Sequence, residues 1–334
     1  MRFGEKDFAF WESSEHSVTS MQTLEDLLAL RWTEHPGNPL IRPPFPSPII
    51  ADPTFCPPAE SPDDRWHLFA HSLLGIHHFT SPDGVRWIRH RGVVARSALR
   101  PFLFREDRTY HLFYERTRLF LPFVPWSSHI EVRTSEDLQR WSAPHVLLRP
   151  CLPWHVRGRS RAVGNPCLLH HEDHHRLYYS AGLVRLPDCG FDEPRHVGVA
   201  EGPTPLGPFT PLPDPILSPD SADPFANLGA GALKVLRAVD GFLGLQNGIY
   251  RDDAGRTRSA VRMLTSTDGL RFTVRSAPFL VPGAGWKRSH VYAVDAHHVD
   301  GATYLYFNAR DDWHWTRGHE AIGLVVGRFD AGGS

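Results

Sequence analysis

This chain lacks most of the features that announce a functional class. It has four cysteines in 334 residues, and none of Cys56, Cys151, Cys167 and Cys189 stands in a CxxC pair. A disulfide framework and a cysteine-rich zinc module are therefore excluded, and the four read as free thiols. Lysine and arginine (36) nearly balance aspartate and glutamate (37), so there is no electrostatic footprint for nucleic acid. No apolar run approaches the roughly 20 residues of a membrane-spanning helix. The opening residues, MRFGEKDFAFWESSEH, are charged throughout and hold no apolar signal core, from which a cytoplasmic location is expected. No GxGxxG fingerprint or P-loop occurs, and the glycines at 229–231 are not followed by a helical pattern, so no nucleotide is expected. A GxSxG elbow and a papain-like cysteine context are also missing.

What is present is proline (30), histidine (21), phenylalanine (20) and tryptophan (10), a composition of short strands, many turns and a sizeable core. Three stretches match one another: TSPDGVRW (80–87), TSEDLQRW (134–141) and TSTDGLRF (265–272). Each joins an apolar strand to a second strand through a polar turn of the kind that Asp and Gly favour. A fourth, AEGPTPLGPF (200–209), has a different turn but the same place in the order and the same closing aromatic. Trp87, Trp141, Phe209 and Phe272 thus recur roughly 54 to 68 residues apart, the signature of a repeated supersecondary unit.

Five opening hairpins can be read, beginning near residues 52, 100, 165, 231 and 291, against only four closing aromatics. The fifth lies at the other end of the chain. LRWTEHPGNPLIRP (30–43) resembles VRWIRHRGVVARSALRP (85–101), with Trp32 where Trp87 stands. Residues near Trp32 then supply the outer strand of the last unit, which ends on GLVVGRF (323–329); this closes a ring and removes a sheet edge. The expected fold is all-β: a five-bladed β-propeller of four-stranded blades over residues 30–330, preceded by an extension (1–29) whose one helix lies in SMQTLEDLLAL (20–30).

Geometry then points to the site. With strands A to D running outward from the channel, A starts and B ends share one face with the long connections, expected at 116–129, 149–163, 182–195, 210–229, 248–257 and 309–319. The channel mouth should be ringed by Asp52 and His71, Arg100 and Glu115, Asn165 and Ser180, Gln246 and Asn247, and His290, Tyr292, Asn308, Arg310 and Asp311. Hydroxyl-rich sugars need such paired donors and acceptors, and tryptophans such as Trp286 and Trp313 on neighbouring loops can stack on sugar C–H faces. The His-rich stretches LLHHEDHHRL (168–177) and DAHHVDG (295–301) straddle A–B turns on the opposite face and read as solvated turn histidines.

The repeats, the Asp52-Pro53 at the first A strand and the AEGPTPLGPF variant resemble glycoside hydrolase family 43 and related propeller glycosidases, over roughly residues 30 to 329. The resemblance implies an inverting mechanism with Asp52 as general base. It also implies an Asp before the proline of the second A strand and a Glu near the start of the third. Here Arg100-Pro101 and Gly164-Asn165-Pro166 stand at those places. His290 matches a channel histidine that binds a metal in some members. One histidine does not assemble a ligand set, so no cofactor is expected, with a channel metal near His290 left open.

Cleavage of a glycoside needs one protonated and one ionised carboxyl group. Glu115 is the second candidate and Asp311 the third. The bland alternatives are that Asp52 caps a strand start, that Glu115 only pairs with Arg100 or Arg116, and that Asp311 is loop surface. Three functions follow. The first is an enzyme that cleaves or transfers a glycosyl unit, with Asp52 as base or charge stabiliser and Glu115 as acid. The second is a propeller that binds sugar without turnover. The third is a pocket for an anionic metabolite, with Arg100, Arg310 and Lys287 or Arg288 as cations. The expected partner is a small saccharide or glycoside, with neither nucleic acid nor membrane; the sequence does not give the oligomeric state.

Overall fold

The computed structural model describes residues 22–117, 124–275 and 277–329. Within them the chain folds as a five-bladed β-propeller. Strands A, B and C of blade 1 are Ala51–Cys56, Trp66–Ser72 and Gly75–Ser81, with Ile88–Arg89 as D and a short extra strand, Ala95–Arg96, beside C. Blade 2 is built from Ala98–Glu106, Thr109–Thr117, Ser128–Ser135 and His145–Leu148. Blade 3 runs through Val163–His171, His174–Leu186, Phe191–Gly202 and Thr210–Pro211, and blade 4 through Gly229–Ala238, Gly241–Arg251, Thr257–Ser266 and Thr273–Val274. Blade 5 takes A, B and C from His290–Val299, Ala302–Arg310 and Glu320–Arg328, and its D strand from Arg31–Glu34 at the other end of the chain. Trp32 pairs with Gly327 there, so the ring closes as the repeat of Trp32 on Trp87 predicts. The helix is Leu24–Ala29, started by a capping box between Thr23 and Asp26. Among the described residues no helix is long and apolar enough to cross a membrane.

The recurring turns have one chemistry. In blade 1, Asp83 Oδ1 accepts the N–H groups of Val85 and Arg86, and Ser81 Oγ accepts that of Gly84. Ser135 with Asp137 and Ser266 with Asp268 repeat this cap. The aromatic that follows is an inter-blade wedge. Trp87 packs edge-on against Tyr306 of blade 5, Trp141 against Phe69 of blade 1, and Phe272 against Tyr178 of blade 3. The same tyrosines latch the turns, Tyr306 Oη donating to Gly84 O and Tyr178 Oη to Gly269 O. Each blade thus buries its apolar face on a neighbour, which is why no single unit of the repeat is a domain by itself.

Every A strand breaks register at the same place: between Ala51 and Thr54, Leu99 and Phe102, Gly164 and Cys167, Gly229 and Ala232, and Val291 and Val294. These are β-bulges, which re-aim side chains. In the first four blades the bulge holds a residue in the left-handed region: Asp52 (φ 51), Arg100 (φ 51), Asn165 (φ 48) and Gly231 (φ 66). Asp, Asn and Gly tolerate it; Arg100 does so only because its surroundings hold it.

Two sequence expectations need correction. The stretch 182–195 is largely a strand pair, with B and C of blade 3 running on to Leu186 and from Phe191. The turn histidines are not all solvated: His297 bridges Asp295 and Glu60 and is pushed up to about 10 by those partners against the cost of burial, while His175 is buried on Glu106. Residues 118–123 of the expected 116–129 connection lie outside the described residues.

Candidate functional site

The bulges bring Asp52 and Arg100 to the channel mouth, where two hydrogen-bonded chains meet. Asp52 donates its backbone N–H to Asn308 Oδ1 (3.1 Å), and Asn308 Nδ2 donates to Glu320 Oε2 (3.0 Å). The other oxygen of Glu320 pairs with Arg310 Nη1 at 2.8 Å. On the other side, Asp52 Oδ2 lies 3.3 Å from His71 Nδ1, which also accepts the backbone N–H of Arg100 (3.2 Å). The Arg100 guanidinium then reaches Glu115 (2.7 Å) and approaches Glu193 (4.0 Å).

Four carboxyl groups therefore share one mouth with two arginines. Burial raises Asp52 to about 6, against the pull of Arg100 and Lys234. Glu193 is pushed up to about 8 by burial, with Glu320 and Asp52 adding to it and Arg100 opposing. Glu320 is also raised by burial, opposed first by Arg310. His71 is pulled down to about 3 by burial and by Arg100, so its ring is neutral and lends Asp52 no charge. At neutral pH Glu193 keeps its proton and Asp52 is mostly ionised: two carboxyl groups of one site with pKa values pushed apart by their environments.

Glu193 and Glu320 are absent from the sequence reading. Both lie at or near the start of a C strand. In an up-and-down blade, C starts share a face with A starts and B ends, so counting C starts as well would have found them.

The two oxygens of Glu115, a predicted acid, are both engaged: Oε2 by Arg100, and Oε1 by Trp126 Nε1 at 2.9 Å. Its carboxylate lies so close to blade 3 that a methyl group on Gly164 would sit 1.9 Å from Oε2, so glycine is required where the third A strand begins. Here Glu115 anchors Arg100, and Arg100 in turn faces Glu193. Asn165, next in the chain, is buried in its bulge.

The remaining predicted residues divide by blade. His290 is fully buried, 3.7 Å from Cys189 Sγ, and pulled down to about 3 by burial. Its ring stacks on Tyr292, whose hydroxyl is buried with no hydrogen-bond partner and is held protonated by burial and by Glu193 and Glu320. Gln246 is tied to Ala230 O and Arg262 within blade 4, and Asn247 to Val291 O of blade 5, so one amide ties strands of its own blade and the other joins blades 4 and 5. Asp311, a predicted catalytic residue, sits on the outer loop and accepts the His319 N–H. Trp286 packs on Phe307 and Gly323 within blade 5. Trp313 donates to Thr257 O and stands beside three arginines away from the Asp52 network. Lys287 is paired with Glu34. Among the described residues no group of three or more His, Cys, Asp or Glu side chains is arranged to hold a metal ion.

No family model matches the chain, and no curated protein matches it in sequence. Solved structures do match in fold. One belongs to the GH130 family of mannoside phosphorylases, said to contain glycoside hydrolases that target β-1,2-mannosidic linkages in Candida mannan: 14% identity, 91% of this chain and 96% of that one, TM-score 0.63. A second is an N-acetylgalactosamine deacetylase from F. plautii in complex with blood group B trisaccharide: 12% identity, coverage 89% and 95%, TM-score 0.61. A third is a family 117 glycoside hydrolase from the marine bacterium Zobellia galactanivorans: 14% identity, coverage 91% and 92%, TM-score 0.59. At these identities the likeness is one of fold, and it places this chain in the architecture that propeller glycoside hydrolases share.

Proposed function

We propose that the protein is a carbohydrate-active enzyme that hydrolyses a glycosidic bond at the channel mouth, with Glu193 as general acid and Asp52 as general base. The observation that carries this is the pair itself: two part-buried carboxyl groups of one mouth, Glu193 4.0 Å from Arg100 and raised to about 8, Asp52 raised to about 6. Glu193 gives its proton to the leaving oxygen as the C–O bond breaks. Asp52 takes a proton from the water whose oxygen bonds the anomeric carbon. Asn308 holds the Asp52 backbone, and Glu115 with Trp126 fixes Arg100. The glycoside hydrolases of the same fold support the choice of substrate class; the deacetylase among the neighbours is a reminder that the fold alone does not choose the reaction.

The test is product detection by NMR on a panel of pentosides, hexosides and fructosides, with and without phosphate. Wild type, Asp52→Asn and Glu193→Gln run side by side. Turnover by wild type and its loss in both variants is expected. Full turnover by Glu193→Gln on substrates with poor leaving groups would overturn the assignment of the acid. The coupled pair predicts a bell-shaped rate profile, rising as Asp52 ionises near 6 and falling as Glu193 ionises near 8.

A further inference from the structure

A short hairpin in the connection from blade 2 to blade 3, Val156–Arg157 paired with Ser160–Arg161, borders the mouth. It is stitched to the connection between strands B and C of blade 2. Trp126 donates its backbone N–H to Ser160 Oγ (3.1 Å), and Arg161 donates its own to Trp126 O (2.8 Å). Ser127 continues the pairing as a parallel bridge to Arg161. Trp126 also belongs to the mouth: its indole donates to Glu115, and the Arg100 guanidinium lies 6.0 Å from its ring centroid. One residue therefore links the hairpin to Arg100.

Charge along these two connections has one sign. Residues 116–129 and 149–162 hold six arginines and no aspartate or glutamate, in a chain whose 36 bases and 37 acids balance overall. Arg116 is paired with Glu131. Arg149, Arg159 and Arg161 are exposed, and their guanidinium groups have neither a carboxylate nor a hydrogen bond among the described residues. Arg157, also exposed, donates one N–H to Leu183 O and has no carboxylate. The mouth differs: Arg100 and Arg310 are each neutralised by a glutamate. Like charges gathered on so short a hairpin repel one another and add nothing to packing. What they supply is positive potential beside the mouth.

Several guanidinium forks in one place suit a polymer of repeated carboxylates, each met by a planar fork. The hairpin carries no aromatic ring on which a base could stack, which favours a sugar polymer over a nucleic acid. We propose that the hairpin of residues 156–161 is a docking surface for an acidic polysaccharide, a chain of uronate units, one end of which enters the mouth. The choice of a sugar rests on the glycosidase reading; the choice of an acidic chain rests on the unpaired arginines.

The test is calorimetric titration of the Asp52→Asn protein, which removes turnover from the measurement. The probes are a galacturonate hexamer, its uncharged methyl ester and a single-stranded DNA hexamer. At low salt the acid form is expected to bind about tenfold or more tightly than the ester, since each exposed ion pair is worth up to about fivefold and several act together. Salt at about 1 M should remove that difference. The double substitution Arg159→Ala, Arg161→Ala should erase most of the preference. Neither side chain is bonded to anything, so the variant keeps the fold, which an unchanged unfolding transition checks. Arg256→Ala, which removes an exposed arginine beside Trp313 instead, should leave the preference intact. Equal binding of acid and ester, no binding of either, or a preference untouched by the double substitution would overturn the proposal. So would DNA binding as tightly as the acid sugar, which would mark the hairpin as a nucleic-acid surface. Failure of hydrolysis in wild type, with the acid preference intact, would sink the glycosidase reading and leave the docking surface standing.

Discussion

The two faces of this propeller treat the same side chain in opposite ways. On the turn face, Asp83, Asp137 and Asp268 sit half in water and accept three or four hydrogen bonds each, which holds them below the usual carboxylate range, Asp268 at about 2. At the channel mouth, Asp52 and Glu193 keep only 16% and 13% of their side chains exposed, and loss of water outweighs the neighbouring arginine, so both are pushed up. A carboxylate on the first face is a staple, fully charged and bonded to its own loop. On the second it is poised to hold or release a proton near neutral pH. Residue type and turn position alone do not distinguish the two; solvent and partners do.

The largest effect that could break this comparison is on turnover. Glu193→Gln and Asp52→Asn should each cost about 10²- to 10⁴-fold in kcat, the usual worth of a general acid or base, while Asp83→Asn should leave kcat unchanged. Next is stability. Arg100→Met leaves Glu115 buried without its cation, and should cost about 3–5 kcal/mol in denaturant unfolding. It should also move the alkaline limb of the rate profile upward, since Arg100 opposes the rise of Glu193.

The third prediction follows from the signs of the shifts. The turn aspartates are depressed in the folded state, so their contribution is full above about 3.9, the unfolded value, and is lost as pH falls through their folded values. Glu193 is raised, so its contribution is full below about 4.3 and is lost as pH rises toward 8. Glu193→Gln should therefore be more stable than wild type at pH 8 relative to the difference at pH 4. Asp268→Asn should flatten only the acid limb. Thermal unfolding across pH reads both. The smallest effect belongs to the latches: Tyr178→Phe or Tyr306→Phe removes one inter-blade hydrogen bond and should cost about 1 kcal/mol, with no change in either pH limb.

The fold was legible in the sequence because the repeat is carried by local chemistry. The Ser-x-Asp cap and the aromatic after it mark each C–D turn, and Trp32 reports ring closure at a distance of almost the whole chain. Part of the mouth was legible for the same reason: Asp52, Arg100 and Asn165 precede prolines at matching bulges. The rest was hidden because a strand end fixes a height in the channel but not what surrounds a side chain. Glu115 is placed at the mouth, yet only the structure shows Arg100 and Trp126 taking both its oxygens. Glu193 lies in a stretch that reads as loop and becomes strand only through its pairing with Val184. Trp286 and Asp311 belong to connections on the correct face and turn into blade 5 and the outer surface.

The most direct measurement is the ionisation of Glu193 itself. In protein labelled with ¹³C at the glutamate carboxyl, the side-chain resonance missing from Glu193→Gln is followed by NMR from pH 4 to 10. A midpoint near 8 is the result this account predicts; a midpoint between 4 and 5, as in an exposed glutamate, would contradict it and take the proton donor out of the mouth.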